Sequence, residues 1–183
     1  MASIINTPYE RAFSGEIVFG SSNKYKYMLG SNGYRSCIAF SGWNPETTVG
    51  FLAHFVVPEQ VDEFYYRAVP YIIDSIPKDS FVPPFTFECC LLGGSNKTNA
   101  SAEIINKIKN GFNLDKNVCF KLVKEEVPTE KFVLKSLSLN TKNGKFGEYD
   151  PQLDSNPRKL TKIEIDRASD ISEFNKLIFA NEL

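Results

Sequence analysis

Residues 49–57 form a nearly continuous apolar segment in which His54 is the one strongly polar side chain. A strand with one face in solvent alternates apolar and polar residues, whereas this segment does not alternate. It therefore predicts a strand that is buried on both faces, which requires further layers of structure on either side of its sheet. A chain of 183 residues is long enough for one domain with such a core.

Other β-prone and helix-prone segments surround this strand. Strands are expected at 16–19, 25–29, 37–43, 85–92, 117–124, 131–139, 145–149 and 160–166, and helices at 61–76, 99–110 and 171–181. Pro70 predicts a kink or a fresh helical start, and Gly111 a helix stop. The pattern predicts an α+β fold with mixed or antiparallel β-sandwich-like layers and helices packed outside. Residues 1–149 are expected to form the main domain, and residues 150–183 an extension of linker, strand and helix packed on it.

The charge balance argues against several classes of function. The net charge is −1 and the sequence pI about 5.9, whereas nucleic-acid-binding domains often have a pI above about 9. No apolar run approaches the roughly 20 residues that span a bilayer, and the first residues do not resemble a secretory signal. We therefore expect no nucleic-acid partner, no membrane insertion and a cytoplasmic location. Export by a system that reads no N-terminal signal stays open.

One thiol and one imidazole suggest a chemistry for the chain. His54 is the only histidine and lies seventeen residues after Cys37. A catalytic cysteine needs a base, since the thiolate is the attacking species, and an adjacent imidazolium can lower the pKa of the thiol by several units from about 8.5. A third group usually orients the base, and the Ser31 hydroxyl is a candidate.

The residues around Cys37 are candidates for the rest of such a site. The loop of Gly33, Tyr34, Arg35 and Ser36 would project the thiol and offer backbone N–H groups to an oxyanion. Trp43, close to the site in sequence, is a candidate for the wall of a substrate groove, with packing as its alternative.

Two other interpretations of the same residues remain. Cys37 could be a core thiol and His54 a buried, hydrogen-bonded histidine. A zinc site could use Cys37, Cys89, Cys119 and His54, although the usual short ligand spacings are absent. We therefore expect no metal and no cofactor. The neighbours Cys89 and Cys90 are expected to pack in a buried strand.

The stretch from Leu29 to Pro58 resembles the CheD family, the chemoreceptor glutamine deamidases of bacterial chemotaxis. That family has a Thr-x-Gly-x-Gly-Ser-Cys loop, a strand ending in Asp-Pro, and then Ile-Gly-Gly-Met-Ala-His-Phe-Met-Leu-Pro. Ser36-Cys37 matches the Ser-Cys pair, Asn44-Pro45 stands at the Asp-Pro turn, and residues 49–58 match the histidine strand nearly position by position. Weaker matches at 66–73 and 93–96 extend the likeness to about residues 15–125.

The chain also departs from the family's pattern. Ser31 stands at the family's threonine, Arg35 replaces a glycine, and Tyr34 is more polar than the family's residue. The family's Gly-rich, Arg-containing motif is missing from 124–137, and residues 150–183 extend past its usual end. These departures are expected of a divergent member with a different substrate.

The resemblance implies a CheD-like cysteine hydrolase fold over residues 1–149 and a protein-glutamine deamidase activity. Cys37 would form a thioester with a substrate glutamine, His54 would act as base and acid, and Ser31 would orient the imidazole. The implied partner is a protein that presents an exposed glutamine, on a chemoreceptor or elsewhere. A secreted effector with the chemistry of toxin-type deamidases, a catalytically silent binding module and a hydrolase of another amide or ester remain alternatives. The oligomeric state is not predicted.

Overall fold

The computed structural model describes residues 8–34, 36–95, 98–127, 135–152, 154, 158–159 and 175–183. Within these ranges the strands are β1 (Tyr9–Arg11), β2 (Glu16–Ser21), β3 (Met28–Tyr34), β4 (Ile38–Trp43), β5 (Val49–Phe55), β6 (Phe85–Gly93), β7 (Val118–Glu126), β8 (Lys135–Asn140), β9 (Lys145–Gly147) and β10 (Ile178–Phe179). The α-helices are α1 (Glu59–Glu63), α2 (Val69–Ser75) and α3 (Asn99–Asn110). A π-helical turn (Phe64–Ala68) joins α1 to α2, and a 3₁₀ turn (Gly111–Asn113) follows α3.

The strands form two sheets that both mix parallel and antiparallel pairs. The large sheet has the order β10-β2-β5-β4-β6-β7 and the small sheet the order β1-β3-β8-β9. β5 lies inside the large sheet, antiparallel to both β2 and β4, and all seven of its residues are buried. The prediction of a strand buried on both faces is confirmed.

The two faces of the large sheet belong to two different cores. Phe51 lies on the face covered by the helices, where it joins Phe40, Phe64 and other buried apolar side chains. Leu52, the next residue, lies on the opposite face and packs with Leu137 and neighbouring residues from the small sheet. Successive side chains of a strand point to opposite faces, so β5 contributes to both cores. The α+β class and the layers with helices outside are confirmed.

The first helical segment shows how the chain accommodates Pro70. The π-helical turn ends at Ala68, and α2 begins at Val69 with Pro70 in its first turn. The backbone stays helical through Ala68 and Val69, and the Val69 N–H donates to the Phe64 carbonyl in the wider π pattern. Pro70, which has no N–H, therefore follows a π-helical turn within a continuous helical path, and the expected fresh helical start is not seen. Gly111 follows α3 as expected, and its Cα lies so close to the ring of Tyr65 that a Cβ would be 2.1 Å from it.

Two other local predictions are wrong. Gly33 and Tyr34 lie at the end of β3 rather than in a loop, because β3 pairs along β8 as far as Tyr34, across a register shift. The helix expected at 171–181 is not formed by its described part, where Ile178–Phe179 is a strand parallel to β2. The strand expected at 160–166 and residues 171–174 lie outside the described residues.

The C-terminal strand pairs with the edge of β2, where no other described segment pairs. Ile178 pairs with Glu16 and Phe179 with Ile17, and the Asn181 side chain continues the ladder. Its Nδ2 donates to the Phe19 carbonyl at 2.7 Å, and its Oδ1 accepts from the Phe19 N–H at 2.7 Å. Backbone groups at a partly buried edge need partners, and the tail supplies them.

Candidate active site

Two neighbouring strands of the large sheet bring Cys37 and His54 to the same side. His54 on β5 pairs with Ala39 on β4, and Cys37 precedes Ala39 by two residues. Cys37 lies in the bend just before β4, one residue outside the paired strand. Cys37 also packs against the cluster between the two sheets that contains Ala39. Cys37 and His54 therefore lie on the same side of the large sheet, the side that looks towards the small sheet.

A hydroxyl from the small sheet fixes the imidazole of His54. Ser31 on β3 donates its one hydroxyl proton to the Ala12 carbonyl at 2.6 Å. Its oxygen lies 3.1 Å from His54 Nδ1 and, with its own proton already donated, accepts a hydrogen bond there. His54 Nδ1 therefore carries the ring proton of the neutral imidazole, and Nε2 keeps a lone pair. This is the tautomer that a general base requires.

The ring of Tyr34 covers His54. The two ring centroids lie 4.3 Å apart at an interplanar angle of 46°. Tyr34 is 1% exposed and His54 2% exposed. The Tyr34 hydroxyl and His54 Nε2 are both buried, and neither has a hydrogen-bond partner among the residues that the structure describes. The thiol of Cys37 is thus not hydrogen-bonded to Nε2, although Cys37 is close enough to Tyr34 for its thiolate to raise the pKa of the phenol.

Burial keeps the thiol and the imidazole of the resting site neutral. It lowers the pKa of His54 to about 3, because no described carboxylate compensates the loss of water around the ring. Burial also raises the pKa of the Cys37 thiol, an effect opposed in part by a hydrogen bond involving Ser36. The structure therefore differs from the sequence-based expectation of a thiol with a lowered pKa. The reason is that a neutral His54 supplies no positive charge to stabilise a thiolate.

Two contacts hold the backbone at Ser36 and Cys37, one from the glycine turn at the end of β6 and one from α3. Gly94 N–H donates to the Cys37 carbonyl at 2.9 Å, and Ser101 Oγ donates to the Ser36 carbonyl at 2.8 Å. Gly93 has a φ of +103°, and a Cβ there would lie 2.6 Å from the Cys37 oxygen. The Gly93-Gly94 pair was visible in the sequence, but neither its contact with Cys37 nor the role of Ser101 could be inferred from it.

Three further candidate residues, Gly33, Arg35 and Ser36, come from the segment before Cys37. Gly33 has a φ of +90°, and a Cβ there would meet nothing within 4 Å. Both Gly33 and Ser36 are exposed beside the partly exposed Cys37. Arg35 lies outside the described residues.

Trp43 lies at the far end of β4, away from Cys37. Its Nε1 donates to the Thr141 carbonyl at 2.9 Å, and its ring covers Gly144. Trp43 therefore packs between strands and does not line this site, so the expectation of a groove wall is wrong and its packing alternative holds.

The alternative zinc set is dispersed in the structure. Cys89 is buried in the core on the helix side of the large sheet, whereas Cys37 packs on the opposite face. Cys119 is exposed on β7. Within the described ranges, no group of three or more histidine, cysteine, aspartate or glutamate side chains is arranged to hold a metal ion. Cys89 and Cys90 lie buried in β6, as the sequence predicted.

The cluster combines a partly exposed thiol, a neutral imidazole with a lone pair on Nε2, and a hydroxyl that holds the imidazole. Such groups can transfer a proton from the thiol to Nε2 as the sulfur attacks an electrophilic carbon.

No helix in the described part of the chain is both long and apolar enough to cross a bilayer. Comparison with models of known protein families gives no match for this chain, and no curated protein gives a significant match either.

Proposed function

We propose that this chain is a cysteine-dependent protein-glutamine deamidase in which Cys37 is the nucleophile, His54 the base and Ser31 the orienting hydroxyl. The observation that carries the proposal is the hydrogen-bond chain from the Ala12 carbonyl through Ser31 to His54 Nδ1. That chain leaves Nε2 unprotonated, and Cys37 packs on the same side of the large sheet as His54. The choice of glutamine follows the CheD-like pattern of residues 29–58.

The neutral resting pair sets the order of events. The Cys37 thiol keeps its proton until a substrate carboxamide arrives, because burial disfavours both the thiolate and the imidazolium. Proton transfer to His54 Nε2 then accompanies attack of the sulfur on the carbonyl carbon. His54 passes that proton to the leaving nitrogen, ammonia departs, and a thioester remains. Water, deprotonated by His54, hydrolyses the thioester to glutamate and restores the thiol.

A protein substrate suits the position of the thiol. Cys37 is partly exposed, and its neighbour Ser36 and the nearby Gly33 are exposed. A glutamine side chain that projects from a protein surface can approach such a thiol with its carboxamide leading. We therefore propose a protein that presents an exposed glutamine as the substrate, with bacterial chemoreceptors as the first class to test. The proposed reaction uses no metal or organic cofactor.

The test is mass spectrometry of candidate substrates after incubation with the purified chain. Cytoplasmic fragments of bacterial chemoreceptors, and a panel of unrelated native proteins, are digested and searched for glutamines converted to glutamate. We expect conversion with the wild type and with Cys119→Ser, which removes an exposed thiol on β7, and none with Cys37→Ala. Conversion that persists with Cys37→Ala, or no conversion in any of the proteins, would contradict the proposal.

A catalytically silent binding module is the second candidate. It is favoured by one observation: in the described part of the chain His54 Nε2 has no hydrogen-bond partner, so the Cys37 thiol does not donate to it. In that case the wild type and Cys37→Ala would bind the same partner protein with equal affinity and leave its glutamines intact. Binding measured together with the mass analysis separates the two functions.

A further inference from the structure

Two neighbouring buried rings in the cluster around Cys37 each carry a polar atom that has no hydrogen-bond partner within the described ranges. One atom is the Tyr34 hydroxyl and the other is His54 Nε2, on rings whose centroids are 4.3 Å apart. A buried polar group without a hydrogen bond costs stability, and a phenylalanine at position 34 would keep the ring packing without that cost. A buried polar atom without a partner calls for an explanation, and a role in a reaction is one.

We propose that the Tyr34 hydroxyl donates a hydrogen bond to the oxyanion that forms when Cys37 attacks a substrate carboxamide. Tyr34 is then a catalytic residue, and the oxyanion site includes a side chain as well as backbone N–H groups near Cys37. This inference rests on the proposed deamidase function.

The two unpartnered atoms have the hydrogen-bonding roles that a primary carboxamide needs. The Tyr34 hydroxyl offers a donor, and His54 Nε2 offers an acceptor because the Ser31 contact places the ring proton on Nδ1. A primary carboxamide carries an acceptor oxygen and a donor NH₂ on the same carbon. An ester carries the oxygen but has no N–H group for Nε2. Burial raises the pKa of Tyr34, an effect that the nearby Ser31 opposes only in part, so the hydroxyl keeps its proton at neutral pH and remains a donor.

Tyr34 is held in place before any substrate binds. Its ring is 1% exposed and packs on His54, and its Cβ lies 3.0 Å from the position that a Cβ at Gly93 would take. Its backbone pairs with Lys135 across β8. A donor fixed in this way needs no reorganisation when negative charge develops on the substrate oxygen, which is the condition under which such donors accelerate a reaction most.

The proposed steps balance. The Cys37 Sγ–carbon bond forms while the thiol proton moves to His54 Nε2, and the carbonyl π electrons move to the oxygen. Tyr34 donates a hydrogen bond to that oxygen and keeps its proton. The electron pair returns, the carbon–nitrogen bond breaks, and the proton on Nε2 leaves with the nitrogen as ammonia. Water then replaces sulfur, giving a carboxylic acid and the starting thiol.

The test compares Tyr34→Phe with Tyr65→Phe. Tyr65 lies in the helix layer on the other face of the large sheet, and its hydroxyl donates to the Ile108 carbonyl at 2.5 Å. Ammonia release from N-benzyloxycarbonyl-Gln-Gly, and from any protein substrate identified above, gives kcat for each variant. Removing one oxyanion donor typically lowers kcat by about 10²–10³-fold. We expect that loss in Tyr34→Phe together with an unchanged or higher melting temperature, and an unchanged kcat with a lower melting temperature in Tyr65→Phe.

A second readout does not depend on turnover. In a Cys119→Ser background, Cys37 is converted to a thiocyanate, whose nitrile nitrogen is a hydrogen-bond acceptor and whose infrared stretch responds to donors. Cys89 and Cys90 are buried and do not compete for the label. We expect the stretch to shift between the wild type and Tyr34→Phe and to stay unchanged in Tyr65→Phe.

The outcomes separate this inference from the function on which it rests. If turnover requires Cys37 but Tyr34→Phe keeps the wild-type kcat, the role of Tyr34 is refuted and the deamidase proposal stands. If Cys37→Ala is as active as the wild type, the deamidase proposal is refuted. If the dipeptide is not turned over and no protein substrate is found, the deamidase proposal is contradicted and the inference falls with it. An identical nitrile stretch in the wild type and Tyr34→Phe overturns the inference whatever the turnover.

Discussion

A single hydroxyl determines which nitrogen of His54 carries the proton. The Ser31 proton is committed to the Ala12 carbonyl, so its oxygen accepts from Nδ1 and leaves Nε2 free. The Cys37, His54 and Ser31 candidates could be named from the sequence because a lone histidine and a nearby thiol leave few combinations. The packing of Tyr34 on His54 could not, because it depends on how two strands from different sheets face each other.

Burial of His54 predicts an acid-sensitive fold. The pKa of His54 falls from 6.5 to about 3 on folding, so between these values the unfolded chain binds a proton that the folded chain does not. Stability is therefore present above pH 6.5 and lost as the pH falls below it. Between pH 7 and pH 5 we expect the wild type to lose about 2 kcal/mol more than His54→Asn. Urea unfolding of both proteins at each pH checks this, since the carboxylates common to both cancel in the difference. Parallel stability curves would show that His54 titrates normally in the folded protein.

At the scale of elements, the glycine turn at the end of β6 contacts the backbone of Cys37, because β6 pairs with β4. Gly93 pairs with Ile38, and the positive φ of Gly93 lets the backbone pass directly against the Cys37 carbonyl. The sequence pointed to a Gly-Gly turn and a following helix, both of which the structure contains. Their contact with Cys37 joins residues more than fifty positions apart, so no local pattern could have predicted it.

Replacing Gly93 with alanine tests this contact. The new Cβ would lie 2.6 Å from the Cys37 oxygen, whereas a Cβ at Gly33, which has a similar positive φ, meets nothing within 4 Å. Both variants incur the strain of a positive φ, about 1–3 kcal/mol. Only Gly93→Ala must also displace the backbone at Cys37. We expect Gly93→Ala to be less stable than Gly33→Ala in denaturant unfolding, by at least about 1 kcal/mol. Equal losses would mean that the turn yields without disturbing Cys37.

At the scale of the whole molecule, the double-faced strand β5 explains the three layers. Its uninterrupted apolar sequence predicted cover on both faces, and the small sheet and the helices provide it. The end of the chain was predicted as a helix because a few apolar residues fit either helical or strand spacing. Pairing with the edge of β2 makes Ile178 and Phe179 a strand rather than part of a helix. Such an edge belongs to the folded sheet and leaves no signal in the tail's own sequence.

The tail is expected to stabilise the large sheet through Asn181. Replacing Asn181 with alanine removes both hydrogen bonds to the Phe19 backbone and should cost about 1–3 kcal/mol, because two partly buried backbone groups lose their partner. Glu182→Ala is the matched control, since that side chain is exposed on the neighbouring residue. Denaturant midpoints and hydrogen exchange at the Phe19 amide check the prediction. If exchange at Phe19 is unchanged in Asn181→Ala, the tail does not protect this edge in solution.

The central claim is that His54 is the base for Cys37, and the pH dependence of Cys37 alkylation tests it most directly. At pH values below its pKa, a thiol that reacts only as its own thiolate alkylates about tenfold faster for each unit by which the pH rises. When neutral His54 takes the proton during attack, the rate instead stays level above the pKa of His54, which is about 3. The measurement uses iodoacetamide in a Cys119→Ser background from about pH 5.5 to pH 8, where the wild type and His54→Asn are both expected to be folded.

We predict a level rate for Cys37 in the wild type and a rate that rises with pH in His54→Asn, with the wild type faster at about pH 6. Rates that rise together and coincide in the two proteins would show that Cys37 is an ordinary core thiol and would contradict the proposed site.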